Sequence, residues 1–347
     1  MTASTRMAHE IAEGPHALER TLADLLPLRA ELRAAAAGRR RVLFAARGTS
    51  DNAAVYGRYL LETQAGIGTA LAAPSVATHY AVAQDLSDAL VVSVSQSGAT
   101  REIVDYQEWA RTQGAATVAV TNVAGSELAE RADVALVTGA GPEVAVPATK
   151  TYLAQLAAMG VLASALSPDP VVLEEPLLRS VGEVSRLLAE RRGVSELAAA
   201  LAEAATVVVS GRGVVLGTAL EIALKLEETC LRPVRGYSYA DLRHGPVSVV
   251  GDDTTAVLVS APDGPFAPAM AQLAADLRGR GARVLGIGGD DAFAAACDLV
   301  VPGPRLPEAV APLGLVVPAQ LAVEESARLL GLDPDAPRSL AKVTQTD

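Results

Sequence analysis

A single offset of 165 residues relates the two halves of this chain, and it constrains the fold more than any other feature. Ala46-Arg47-Gly48 recurs as Gly211-Arg212-Gly213, with Arg212 standing 165 positions after Arg47. At the same offset Ser95 answers to Ser260, Asp133-Val134 to Asp298-Leu299, and Gln155-Leu156-Ala157 to Gln320-Leu321-Ala322. Four elements at one spacing imply an internal repeat, so whatever the first half folds into the second copies. Within each half, short β-branched runs alternate with helical stretches, the pattern of a parallel sheet covered on both faces. The expected fold class is α/β, with two tandem domains, each a three-layer αβα sandwich around a parallel sheet. The expected boundaries are a helical segment over 1–37, a first domain over 38–167, a helical linker over 168–195, a second domain over 196–332 and a tail over 333–347. The linker is placed by SPDPVVLEEP at 167–176, which is rich in proline and acid.

Residues 7–36 read as helical, broken at Gly14-Pro15 and kinked at Pro27. Leu18, Leu22, Leu25 and Leu28 recur at roughly helical spacing, which predicts an apolar face on the outside of the fold or against a partner subunit. Strands are expected at 41–46, 69–73, 89–94, 117–121 and 133–137. Helices are expected at 102–114 and 152–166, and over 177–204 with an interruption at Arg192-Gly193.

Residues 85–102, DLSDALVVSVSQSGATRE, form the stretch most suggestive of chemistry. A valine-rich strand runs into Ser95-Gln96-Ser97-Gly98-Ala99-Thr100, after which a helix begins. Backbone N–H groups at a helix N-terminus, a permissive glycine and three hydroxyls suit an anion. No Lys lies in the turn and no GxxxxGK[ST] is present, so a small phosphorylated metabolite fits better than a nucleotide. The competing reading is an ordinary turn whose serines only cap the helix. A second hydroxyl-bearing turn, Gly48-Thr49-Ser50, follows the first strand. The second half has lost the anion loop: SQSGAT has become SAPDGP, where Asp263 would repel a phosphate.

The second half offers other groups. Within 218–230, TALEIALKLEETC, Glu221, Lys225 and Glu228 fall on one helical stripe with Glu227 off it. Two readings stand: a solvated stripe with an ordinary salt bridge, or a carboxylate in an apolar cleft tuned as a base. Tyr237, Tyr239, Asp241 and His244-Gly245-Pro246 follow. The polar ending carries Lys342, either solvated or folded back over the cleft.

The formal net charge of −11 argues against nucleic acid, whose phosphates require basic stripes. The longest uncharged apolar helix candidate, residues 153–166, is too short to span a bilayer. MTASTRMAHEIAEGP lacks an apolar signal core, which argues against export and for a cytoplasmic protein. Cys230 and Cys297 make no metal pattern and are expected to remain reduced. The four histidines are dispersed, so neither a metal nor a cofactor is expected.

Together, GTS after the first strand, SQSGxT, the VxxTK segment, the GRG…ALKLxE helix, HGP and the terminal LAK resemble the SIS (sugar isomerase) family over nearly the whole chain. The similarity is greatest to the isomerase domain of glucosamine-6-phosphate synthase and to stand-alone glucosamine-6-phosphate deaminases. The resemblance implies two tandem SIS domains and a homodimer with shared active sites. It implies that Ser50, Ser95, Gln96, Ser97 and Thr100, with Thr49 close by, hold the 6-phosphate of a hexose, and that Val146 lies in a substrate-contacting segment. Glu228 would move a proton between C1 and C2 with Lys225 nearby, His244 would assist ring opening, and Lys342 would approach the carbonyl carbon. In the synthase the equivalent histidine comes from the neighbouring subunit. Ala148 replaces a serine of the synthase motif, and Asp241 replaces a glutamate before HGP. No glutaminase segment precedes the repeats and position 2 is not Cys, so glutamine is not expected as the nitrogen source. The ending KVTQT is more like the deaminases.

The preferred reading is deamination of glucosamine 6-phosphate to fructose 6-phosphate and ammonia. Dehydration of N-acetylglucosamine 6-phosphate, deglycation of a fructosamine phosphate, and a phosphosugar-sensing regulator are the alternatives.

Overall fold

A computed structural model describes residues 4–342, so 343–347, with most of the KVTQT ending, lie outside the described residues. Ten strands form two sheets. The first holds β1 (Arg41–Ala45), β2 (Gly68–Leu71), β3 (Ala89–Val94), β4 (Ala116–Thr121) and β5 (Val134–Val137). The second holds β6 (Thr206–Gly211), β7 (Val234–Ser238), β8 (Thr254–Ser260), β9 (Arg283–Gly288) and β10 (Leu299–Val301). Their orders, β2-β1-β3-β4-β5 and β7-β6-β8-β9-β10, are the same arrangement repeated, and every pairing is parallel. Both sheets are flanked by helices, as the α/β reading of the repeat requires.

All residues of β3, β4 and β8 are buried, which explains why these strands read as unbroken Val/Ala runs without a polar face. The repeated aspartates have one job in both copies. Asp133 accepts the Thr117 N–H at 2.8 Å, and Asp298 accepts the Val284 N–H at 2.8 Å. Each pins the start of the neighbouring strand from just before its own strand, and β5 begins at Val134, one residue after the expected 133.

The chain divides into two compact units. One contains the segments up to Pro15, Val144–Thr149 and Arg179–Leu340, and the other His16–Glu143, Lys150–Leu178 and the chain from Ala341. The unit boundary near residue 178 falls inside a helix, Val171–Glu190. The proline-rich 167–176 stretch is thus helical from Val171 onward, with Pro176 inside the helix. Val172, four residues before Pro176, is exposed, so water can take the carbonyl that the proline cannot bond. The next helix, Val194–Glu203, follows a left-handed Gly193.

The N-terminal helical run breaks at Glu13, one residue before the expected Gly14, and Pro27 sits in a short 3₁₀ turn. Its apolar face is covered: Leu18, Leu22 and Leu25 are buried, and Thr21 donates to the Thr138 carbonyl just past β5. The helix Lys150–Leu166 is buried along almost its whole length, as befits a helix apolar on every side. Both cysteines are buried and free, and burial pushes their thiols up to about 12, so they are unreactive at neutral pH. No helix among the described residues is long and apolar enough to cross a membrane.

Gly288 closes β9 at φ +77°, and a Cβ there would stand 2.4 Å from the Ser260 carbonyl oxygen, a backbone atom with little freedom to retreat. Gly288→Ala is expected to lower the urea midpoint by the equivalent of about 2 kcal/mol or more. Equilibrium unfolding measures it.

Candidate active site

In the first sheet β1 and β3 lie side by side while the chain runs outward from them in opposite directions. The crevice beyond their carboxyl ends is where an open parallel sheet binds ligands. Both hydroxyl turns lie there. Gly48 has φ +57° and ψ −131°, a backbone that side-chain-bearing residues do not tolerate, and it starts the helix Thr49–Leu60. Ser50 is buried in that first turn, and Gln155 Nε2 donates to its Oγ at 2.9 Å. The Ser50 oxygen is thereby used as an acceptor, leaving its hydrogen to donate. Thr49 is partly exposed beside it.

The Ser95–Thr100 turn is fixed as tightly. Gly98 has φ +62°, and a Cβ there would lie 2.2 Å from Ser126 Oγ and 2.8 Å from Thr121 Oγ1. Ser95 Oγ lies 3.0 Å from Thr100 Oγ1, and Ser97 Oγ accepts the Ala99 N–H at 3.3 Å. Gln96 anchors the turn through its carbonyl, which accepts from the Asn122 N–H at 3.0 Å, and its side chain is partly exposed. Thr100 occupies the N-cap of the helix Arg101–Thr112, yet its side chain makes no capping bond. The first unit gathers Ser50 at one helix N-terminus and Ser95, Ser97 and Thr100 at another, an arrangement suited to an oxyanion.

The other unit carries the helix Leu216–Cys230. Lys225 Nζ lies 2.5 Å from Glu228 Oε2 and 3.5 Å from Glu221 Oε1. The side chains of Glu221 and Lys225 are 1% and 3% exposed, whereas Glu228 is 25% exposed. The solvated-stripe reading fails for Glu221 and Lys225. A buried ion is tolerated only when paired, and here Lys225 is paired with the buried Glu221 on one side and with a carboxylate that still reaches solvent on the other. His244 is exposed at the C-terminus of the helix Tyr239–Arg243, ahead of Gly245 at φ +128°. Asp241, the departure before HGP, accepts a bond from Ser238 Oγ at 2.6 Å and so secures the start of that short helix.

Lys342 is folded back rather than solvated. Its Nζ lies 2.8 Å from Glu143 Oε2, and the fully buried Glu143 also accepts from the Thr151 hydroxyl at 2.6 Å and the Thr151 N–H at 3.1 Å. Val146 is held through its N–H by the Asp335 carbonyl at 2.9 Å, while the Val144 and Ala145 N–H groups both go to the buried Glu10. Glu143, Gln155 and Glu10 escaped the sequence-based list of site residues. Gln155 left a signal, a lone amide in an apolar helix, whereas the partners of Glu143 and Glu10 are too distant along the chain to infer.

The degenerate copy shows how the anion loop was lost. Arg212 stacks over the rings of Tyr239 and Phe266 at 4.4 and 4.6 Å, and Phe266 lies against Gly213 where a crevice would open. Asp263 accepts the Glu308 N–H at 2.7 Å. Burial and Asp263 together hold the Glu308 carboxyl above its ordinary range. Among the described residues no cluster of three or more His, Cys, Asp or Glu could hold a metal ion.

Two copies of this sheet, with a hydroxyl cradle in the first, define a protein of the SIS class: the SIS domain model matches residues 37–165 and 200–327, and the chain belongs to that family. Among its relatives, the glutamine–fructose-6-phosphate aminotransferase (isomerizing) of Methanothermobacter thermautotrophicus is 36% identical over 306 residues, covering 87% of this chain and 51% of that protein. The chain thus spans about half the length of that relative. A structure from Silicibacter pomeroyi DSS-3, assigned by name to the phosphosugar isomerases, is 33% identical with a TM-score of 0.84, covering 96% of this chain and 100% of that one. The glucosamine-6-phosphate deaminase of Thermotoga maritima, at 23% identity and a TM-score of 0.79 over 99% of this chain and 100% of that one, shares the fold.

Asp51, in the turn beside Ser50, has its carboxyl raised above the ordinary 3.8 by burial, against the opposing pull of Arg47. A raised carboxyl means the folded chain binds its proton more tightly than the unfolded one. Stability is therefore lost as pH rises through this titration. Asp51→Asn is expected to raise the urea midpoint at pH 7, and the gain should vanish below pH 3.8. Denaturation series at several pH values test both halves.

Proposed function

We propose that this chain is a metal-independent enzyme of amino-sugar phosphates that deaminates glucosamine 6-phosphate to fructose 6-phosphate and ammonia. The observation that carries the reading is the array on one helix, where the buried Lys225 lies between the buried Glu221 and a solvent-reaching Glu228. Such a carboxylate is suited to moving a proton on carbon, which is general acid–base catalysis and needs no metal.

In the proposed cycle, Ser50, Ser95, Gln96, Ser97 and Thr100 hold the 6-phosphate, with Thr49 and Val146 along the sugar. Binding energy from the phosphate then positions C1 and C2 away from the anchor. His244 assists ring opening, supplied by a neighbouring copy in a homodimer. Glu228 takes the C2 proton of the open-chain aldehyde while O1 is protonated, giving an enolamine, and returns the proton to C1 as the amine nitrogen releases one, leaving a C1 alcohol and a C2 imine. Water adds to that imine and ammonia leaves, giving the ketone of fructose 6-phosphate. Lys225 and Lys342 supply positive charge for the intermediate enediol or enolamine oxygen.

Proton NMR of glucosamine 6-phosphate in D₂O with the enzyme is expected to show exchange at C2 and release of ammonia. Glu228→Gln should slow the exchange by about 100- to 10,000-fold with phosphate affinity unchanged. Turnover of N-acetylglucosamine 6-phosphate to an ultraviolet-absorbing unsaturated product would replace deamination with dehydration. No turnover of either sugar would overturn the enzymatic reading.

A further inference from the structure

The hydroxyls proposed to hold the phosphate are neutral donors, whereas a sugar phosphate near pH 7 approaches a dianion. The two turns and the helix starts they feed contain two arginines, Arg47 and Arg101. Arg101 is committed to carboxylates away from the first turn, with Nε 2.9 Å from Asp105 Oδ2, Nη2 2.5 Å from Asp105 Oδ1 and Nη1 3.5 Å from Glu127 Oε1. Arg47 behaves differently. From the turn after β1 it reaches across to the helix after β3, where its Nη2 lies 2.7 Å from Glu102 Oε1, and its Nη1 donates to the Ala46 carbonyl at 3.0 Å. Its charge also acts on Asp51 in the first turn of the other helix. The guanidinium therefore stands between the two helix starts that frame the crevice.

A guanidinium has five N–H donors in a planar fork, and these contacts occupy two. The Arg47 side chain is 45% exposed while that of Glu102 is 11% exposed, so the carboxylate is the fixed partner and the arginine faces solvent. The repeat supplies a comparison. Arg212, at the matching position of the second copy, is stacked between two aromatic rings beside a turn with no anion loop. In the first copy the same arginine is left uncovered beside the intact hydroxyl turn.

We propose that Arg47 is a further ligand of the 6-phosphate, braced by Glu102 and the Ala46 carbonyl so that its remaining N–H groups meet the phosphate oxygens. It contributes the formal charge that the hydroxyls lack and selects a phosphorylated sugar over an unphosphorylated one. Glu102 is a positioning residue that fixes where the fork points. This inference rests on the reading of the Ser95–Thr100 turn as the phosphate site.

Calorimetric titration of the whole chain with fructose 6-phosphate, and separately with inorganic phosphate, tests it. Arg47→Ala is expected to weaken both by roughly 10- to 100-fold, the range of a charge-assisted hydrogen bond. The rate of C2 exchange at saturating sugar phosphate should change little, so the loss appears in KM rather than kcat. Arg47→Lys keeps the charge without the fork and should recover only part of the affinity. It also serves if the alanine variant does not fold: weaker phosphate binding with an unchanged melting temperature supports the proposal. Wild-type affinity in the folded variants overturns it and leaves the hydroxyl cradle standing. A wild-type chain that binds neither probe overturns the phosphate site and the role of Arg47 together.

Discussion

The parallel pairing of β1 with β3 is the constraint on which the rest of the first unit depends. The chain leaves β1 toward β2 and leaves β3 toward β4, in opposite directions across the sheet. With right-handed crossovers, the helices after β1 and β3 must cover opposite faces. Their N-termini flank a crevice that neither fills. Gly48 and Gly98 allow the chain to turn there, and the packing of Gly98 against Ser126 and Thr121 fixes the second turn from behind. The polarity of the cradle is set from the core. Gln155 occupies the acceptor side of the Ser50 hydroxyl from within a buried, largely apolar helix, so a core amide settles what a crevice hydroxyl can offer.

The second copy retains this architecture and abandons the crevice. Its strand order is the same, Gly213 has the positive φ of Gly48, and Asp298 repeats the work of Asp133. An aromatic ring and a stacked arginine stand where the first copy leaves space. Fold and site are thus separable. The features that set strand order and register survive in both halves, while those that make an anion site survive in one.

Much of the fold was legible because it rests on short-range patterns: valine runs for central strands, glycines at turns, and a constant offset for duplication. One helix start differs from the pattern: Pro176 suggests a break before 177, yet with Val172 exposed the helix runs on from Val171 through the proline. The leucines of the first helical run pointed correctly to a buried apolar face but gave no sign of the bond that Thr21 makes to the distant Thr138 carbonyl. Among the candidate residues, the hydroxyl turns of one unit and the Glu221-Lys225-Glu228 stripe of the other were visible because local spacing brings each set together. Glu143 with Lys342, and Glu10 with the N–H groups of 144 and 145, join residues more than a hundred positions apart. No periodicity encodes such pairs.

The burial of Lys225 bears on function because it is hard to justify by stability. Removing two charges from water costs several kcal/mol per ion, and an apolar pair of similar volume often serves a core at least as well. On a helix whose other buried positions include Ala219, Ile222, Ala223 and Leu226, substitution by apolar residues would be the simpler packing. The ion pair has a different consequence. It places a fixed positive charge 2.5 Å from Glu228, with the orientation of the ammonium set from below by a carboxylate that solvent does not reach. A lysine on the surface would wander and be screened. Anchored by Glu221, it holds Glu228 in one geometry, and that fixed geometry, more than added stability, accounts for keeping two charges in an apolar core.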